Sequence, residues 1–280
     1  SIDLADFIMI SVVGGLLASA AVLITALGLT AGSVRFGWDP DNVTAPLVTA
    51  VGDVATVPAL VLASTLVGRQ WPVLSVTVVS VVAIPVAAFA VIRAGRPGLQ
   101  TILRESTPVL IVGILLDLVA GVTVERQLDS FALFPALLVM LPAFLAVAGA
   151  LGGTLSSRLA SQLHLGTIAP NRLPEARARA DIILSVGLAF PVFATCGVLA
   201  HTFSRVSNLG SPGAGWLVGA ALLGGVVATV MASLVAYYST VASVRMGLDP
   251  DTYGIPLVTS TMDLLGAFTL ILAVEILAFT

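Results

Sequence analysis

Eight long apolar runs, separated by short breaks that hold most of the charge, constrain this chain more than any other feature. They cover about 7–32, 44–67, 72–93, 106–124, 131–160, 181–203, 213–243 and 254–279. About 20 apolar residues cross the hydrocarbon of a bilayer as a helix, and a backbone with no water to bind must satisfy its own polar groups. The fold class read here is therefore an all-α integral membrane protein of about eight transmembrane helices. Composition agrees, because only 10% of the 280 residues are charged, against roughly 25% in soluble domains. A net charge of −3 argues against nucleic acid as a partner, and the single Cys196 excludes a disulfide framework. The run at 131–160 carries "GALGGTLSSR" and is expected to bend or break there. The connection 158–180 is the longest polar one and is the place for a short surface helix. The opening "SIDLADF" is acidic and shows no cleavable signal; the missing initial Met suggests processing or truncation.

All twelve basic residues are arginines, and they distribute unevenly. If the loop at Arg35 faces the cytoplasm, Arg35, Arg93, Arg96, Arg104, Arg158, Arg172, Arg177, Arg179 and Arg245 share that side. Only Arg69, Arg126 and Arg205 fall opposite. This is a positive-inside pattern, and it places both termini outside and both "DPD" loops in the cytoplasm. Trp38, Trp71 and Trp216 lie near span ends, where an interfacial belt is expected. His164 and His201 lie at span edges and read as surface residues. The sequon at Asn42 faces the cytoplasm in this topology and carries no weight.

The chain repeats itself. A shift of 210 residues aligns Ser33–Val54 with Ser243–Leu264 without a gap, with 12 of 22 positions identical, and Gly14–Gly15 then meets Gly224–Gly225. The offset is an even number of spans, so the copies run parallel. A pseudo-two-fold axis along the membrane normal follows, with a shared feature upon it. Each copy brings an aspartate, Asp53 or Asp263, into a span; Asp53 lies about 14 Å deep at 1.5 Å per residue if its helix starts near Thr44. A carboxylate there costs about 2.5–3.5 kcal/mol or more, so it must face the bundle interior or a wet cavity. Pro46, Thr49 and Asp53 share one helical face, as do Pro256, Thr259 and Asp263. Two carboxylates facing one cavity repel unless a cation or proton lies between them, so the pair reads as a cation site. The plainer reading, a cap or ion pair to a neighbouring helix, weakens when the aspartate is duplicated. Asp39, Asp41, Asp249 and Asp251 at the mouth divide between helix capping and an acidic vestibule or regulatory-ion site.

The pattern R-x-G-x-D-P-D-N-x-x-x-P-L-V-T-x-x-x-D resembles the last-helix signature of MgtE-type magnesium transporters. It is closer still to solute carrier family 41, whose chains fuse two such modules. "LPAFLAVAGALGGTLSSRLAS" (141–161) resembles the second helix of that module, and "GILLDLVAG" (113–121) its first, which puts Asp117 near that helix's end. Where the family's Gly-rich stretch usually carries an Asn, this chain has Ala150 and Gly152. The resemblance implies residues 1–67 as the last two helices of a first module and 68–103 as a linking transmembrane helix with a cytoplasmic loop. Residues 104–280 then form a complete five-helix second module. Three helices of the first module would precede the chain as partners now missing from it.

The resemblance further implies transport of a divalent cation, Mg2+ foremost, across the plasma membrane of a prokaryotic cell. The path is lined by the second and fifth helices of paired modules, and the protein is not an enzyme. Asp53, Asp263, Thr49 and Thr259 would meet the hydrated ion. Asp39, Asp41, Asp249, Asp251 and Asp117 would form secondary or mouth sites. Pro46, Pro256, Ser156 and Ser157 would shape the pore. Mg2+ is cargo and also a candidate structural or regulatory ion; no organic cofactor is implied, and the other partner is the bilayer. An exchanger coupled to Na+ or protons is the alternative. A transport-free structural subunit is another. An intramembrane aspartyl protease is remote: its G-x-G-D would need Gly where Ala50 stands, and Pro58–Leu60 follows Asp53 on the same helix.

Overall fold

The computed structural model describes residues 3–67, 97–127 and 134–278, with scattered helical positions between 73 and 93. Most of the expected span 72–93 thus lies outside the described residues, as do Trp71 and the side chains of Asp41, Asn42 and Pro46. The described chain is helical throughout: α1 (Leu4–Phe36), α2 (Pro40–Ser64), α3 (Pro97–Arg126), α4 (Pro135–His164), α5 (Ala176–Val206), α6 (Ala214–Arg245) and α7 (Pro250–Ala278). Among the described residues, all seven helices contain a stretch long and apolar enough to cross a membrane, so the protein is multi-pass. The chain divides into two compact units, Ser1–Arg104 and Glu105–Thr280.

In the first unit, α1 and α2 form an antiparallel hairpin. Asp3 opens α1 with a capping box, its Oδ1 accepting the Leu4 N–H while Asp6 reaches back to the Asp3 N–H, which satisfies donors the helix cannot. Gly37 ends α1 at φ +69°, and the Trp38 N–H reaches back to the Ser33 carbonyl at 3.0 Å. That six-to-one bond needs a left-handed residue, which glycine adopts without strain. Pro40 then starts α2, where its missing N–H would be unpaired in any case.

The α6–α7 hairpin of the second unit repeats this detail for detail. Gly247 has φ +69°, Leu248 N–H bonds the Ser243 carbonyl at 2.9 Å, and Pro250 starts α7. Packing follows the same shift of 210. A Cβ on Gly14 would lie 2.7 Å from Leu60 Cδ2 and 3.3 Å from its Cα; one on Gly224 would lie 3.2 Å from the Leu270 Cα. Ala18 and Ala63 are buried in the first hairpin, and Ala228 and Ala273 in the second. The duplication read in sequence is thus one hairpin built twice.

Around the second hairpin stand α4 and α5. Half of the α4 span is buried, the largest share among the seven described helices, because its small residues admit neighbours on two faces. Gly149 and Gly153 lie under the Thr259 methyl, and Gly152 faces Val258 of α7 and Ala232 of α6. Small residues at such spacing let membrane helices approach closely. Despite the expected break at "GALGGTLSSR", α4 runs without interruption to His164, since close-packed neighbours hold the glycines in helical backbone. Phe193 of α5 packs at a tilt on Phe144 of α4, ring centroids 4.9 Å apart, and fills the space over Gly225 of α6. At another crossing, a Cβ on Gly197 would meet the Val218 Cα at 2.7 Å, so α5 and α6 touch backbone to backbone.

The polar connection holds no surface helix. After α4 it forms an irregular loop up to Glu175, and α5 begins at Ala176. The loop is tied to the end of α6: Arg245 Nε donates to the Pro170 carbonyl at 2.8 Å, and the Tyr237 hydroxyl to the Asn171 carbonyl at 3.1 Å.

Candidate functional site

The second "DPD" turn is a helix cap. Asp249 Oδ1 accepts the Asp251 N–H at 3.1 Å and Oδ2 the Thr252 hydroxyl at 3.2 Å, so Asp249 occupies the N-cap position that aspartate favours. His164 Nε2 approaches Asp249 Oδ1 at 3.9 Å, with both side chains about half exposed. Asp39 and Asp251 are exposed at their turns. His201 faces the loop before α6, its Nδ1 2.9 Å from Ser211 Oγ.

From that cap α7 enters the membrane with the expected stripe on one side. Pro256, Thr259 and Asp263 are all half-buried. Proline at 256 leaves the Thr252 carbonyl without its helical donor, and the Thr259 hydroxyl turns back onto the Pro256 carbonyl at 3.0 Å. This turn of α7 is therefore rich in oxygen. Asp263 lies near the middle of its helix. In α2, Asp53 is exposed within the first unit and Thr49 half-buried. Asp53 and Asp263 thus hold equivalent positions in two copies of one hairpin. Among the described residues, no three His, Cys, Asp or Glu side chains gather as a metal-binding group. An ion on this stripe would have to be held by few carboxylates, hydroxyls, carbonyls and its own water.

The two serines expected to shape a pore lie inside the second unit. Ser156 is fully buried and pairs with Thr240 at 3.1 Å. Because Thr240 spends its proton on the Ala236 carbonyl at 2.6 Å, Ser156 is the donor. A Cβ on Gly254 would lie 2.5 Å from Ser156 Oγ, so this pair joins α4, α6 and α7 at a point only glycine allows. Ser157 is buried beside it.

Asp117 sits differently from expectation. The spanning part of α3 runs from Ser106 to Arg126, which puts Asp117 mid-span instead of near the helix end. One turn earlier on the same helix, a Cβ on Gly113 would lie 2.9 Å from Ser260 Oγ of α7, and Asp117 lies within electrostatic reach of that hydroxyl. Ser260 stands one turn before Asp263.

One polar cluster escaped the sequence reading. Arg158, assigned there to a loop, lies inside α4 and donates through Nη2 at 2.7 Å and Nε at 3.2 Å to Oδ1 of Asp181 on α5. The amide of Gln162 donates to the other oxygen of Asp181. Asp181 is buried, and satisfying both its oxygens is what makes a buried carboxylate tolerable. The available signal was opposite charges at facing ends of two successive apolar runs.

The profile of the MgtE family, described as a divalent cation transporter, matches residues 1–63 and 141–273. Solute carrier family 41 member 3 of Mus musculus is 25% identical over 279 residues, covering 94% of this chain and 56% of its own length. Solute carrier family 41 member 2 of Xenopus laevis is 25% identical over 292 residues, covering 95% of this chain and 50% of its own. The chain spans about half the length of the curated relatives it matches. No solved structure gives a significant match. With a duplicated hairpin that carries a mid-span aspartate in each copy, and a profile match over most of its length, this chain belongs to the MgtE family of divalent cation transporters.

Proposed function

We propose that this chain conducts a divalent cation, Mg2+ foremost, through the membrane, with Asp53 and Asp263 facing the ion. The observation that carries this is the recurrence of one intramembrane carboxylate at the same position in two copies of the same hairpin, in a member of a divalent-cation transporter family. A charged side chain at mid-bilayer costs at least about 2.5–3.5 kcal/mol. A fold that keeps that cost twice at equivalent positions uses the charge. Mg2+ sheds water reluctantly and prefers oxygen in octahedral array. Few carboxylates, the Thr49 and Thr259 hydroxyls and the carbonyl freed by Pro256 suit an ion that keeps part of its hydration shell. The excess of arginine on one side places both "DPD" turns in the cytoplasm. There Asp39 and Asp251, exposed at the two turns, raise local cation concentration. Residence in the cell membrane is part of the same reading.

The test is Mg2+ uptake into proteoliposomes by the wild type, Asp53→Asn and Asp263→Asn, with and without Na+ and proton gradients. Either substitution is expected to reduce uptake by about a hundredfold, the scale of removing one charge from a desolvated ion contact. Uptake unchanged in both variants would place the ion path elsewhere. Dependence on a gradient would make the protein a coupled exchanger.

A further inference from the structure

We propose that Asp117 is a positioning residue for the ion-facing stripe of α7, acting through the hydroxyl of Ser260; this rests on the reading of Asp263 as an ion-facing carboxylate. Gly113 and Asp117 lie one turn apart on one face of α3, and Gly113 brings that face against Ser260. A Cβ on Gly113 would stand 2.9 Å from Ser260 Oγ, so the glycine leaves the room the hydroxyl occupies. Asp117, one turn along that face, stands within electrostatic reach of the hydroxyl, which can donate to it. Hydrogen bonds to an ionised acceptor are shorter and about twice as strong as neutral ones.

The grip falls on the turn that matters. Ser260 follows Thr259 directly and precedes Asp263 by three residues. α7 is apolar on nearly every side, so hydrophobicity alone does not set its rotation about its axis. Packing and polar contacts with neighbouring helices set it instead. Gly149 and Gly153 of α4 receive the Thr259 methyl on one side, and α3 takes Ser260 on the next. Between them they fix the direction in which the turn carrying Thr259 and Asp263 projects. The contact is not part of the duplicated hairpin, since Ala50 stands where the second copy has Ser260. It is specific to the second unit, and it accounts for a mid-span carboxylate on α3 that the paired-aspartate reading leaves without a role.

The test uses the full chain in proteoliposomes with Mg2+ as probe. Asp117→Ala, Ser260→Ala and Gly113→Ala are each expected to raise the KM for uptake about tenfold, the size of one lost charge-assisted hydrogen bond. The maximal rate and the detergent unfolding temperature should stay close to wild type. The double variant Asp117→Ala/Ser260→Ala should be no worse than either single. Asp117→Asn, whose amide oxygen still accepts the hydroxyl, should recover most of the loss. Ser260→Ala removes only a hydroxyl and keeps the test open should Asp117→Ala misfold. An Asp117→Asn variant as impaired as Asp117→Ala overturns the inference, because the charge itself would then serve the ion. Additive losses in the double variant overturn it as well. An Asp263→Asn control separates the two readings. Wild-type uptake there overturns the ion-site reading and this inference with it. Loss there, with wild-type KM in Asp117→Ala and Ser260→Ala, overturns this inference alone.

Discussion

The α1–α2 and α6–α7 hairpins are one structure in two settings. Their turns share a glycine at φ +69°, a six-to-one bond to a buried serine and a proline opening the next helix. Their surroundings differ. A Cβ on Gly15 would meet nothing within 4 Å, whereas one on the matching Gly225 would collide with the Phe193 ring. Gly52 of the first copy, facing Val22, corresponds to Met262, fully buried in the core of the second unit. The hairpin therefore carries its own instructions, while the residues that receive it belong to other helices and, among the described residues, are seen around the second copy. The lesson is that the turn and the mid-span aspartate are intrinsic to the repeated element, and the outward face is free to vary with its neighbours.

Substitutions can break that comparison where the copies differ. Gly225→Ala drives a methyl into an aromatic ring held between α4 and α6, and is expected to destabilise the protein by about 2–3 kcal/mol, as overpacking a closed site does. Gly15→Ala should lie within about 0.5 kcal/mol of wild type, as a change away from packed contacts does. Unfolding by denaturant titration in detergent measures both. Equal effects would show that the first hairpin is packed as tightly as the second.

Where the copies agree, matched substitutions sharpen the comparison. Gly37→Ala and Gly247→Ala each put a side chain on a left-handed residue and should cost about 1–2 kcal/mol apiece. Unequal losses in the same unfolding measurement would contradict the shared turn geometry. The smallest effect is expected at the cap. Asp249→Ala should cost about 1 kcal/mol and leave the KM for Mg2+ near wild type. A large rise in KM would instead give this carboxylate a direct part at the mouth of the path.

Much of the fold was legible in order along the chain. Span positions agree to within a few residues for the seven described helices, because an apolar run that must satisfy its own backbone has one solution in a bilayer. The duplicated turn was legible because glycine, aspartate and proline each do one local job there. The oxygen-rich stripe of Pro256, Thr259 and Asp263 was legible from helical spacing alone. Less legible were pairings between distant residues. Arg158 was counted as a loop arginine, yet it is spent on Asp181. Ser156, expected to shape the pore, joins three helices through contacts that no local pattern announces. The Gly-rich stretch of α4 read as a break, since isolated glycine weakens a helix, but contacts from α6 and α7 hold it straight through.

By itself the sequence determined the membrane class, the spans, the repeat, the shape of each turn and the matching places of Asp53 and Asp263 along their helices. All of these follow from hydrophobicity, periodicity and backbone sterics acting within some 30 residues. Only the tertiary structure decided which faces of α4 and α7 meet, that Gly113 of α3 closes on Ser260 of α7, and that Arg158 is neutralised by Asp181. Helices apolar on nearly every side carry little record of their own rotation. That rotation is set by small residues and single polar contacts on partners far away in the chain, where no local pattern announces them.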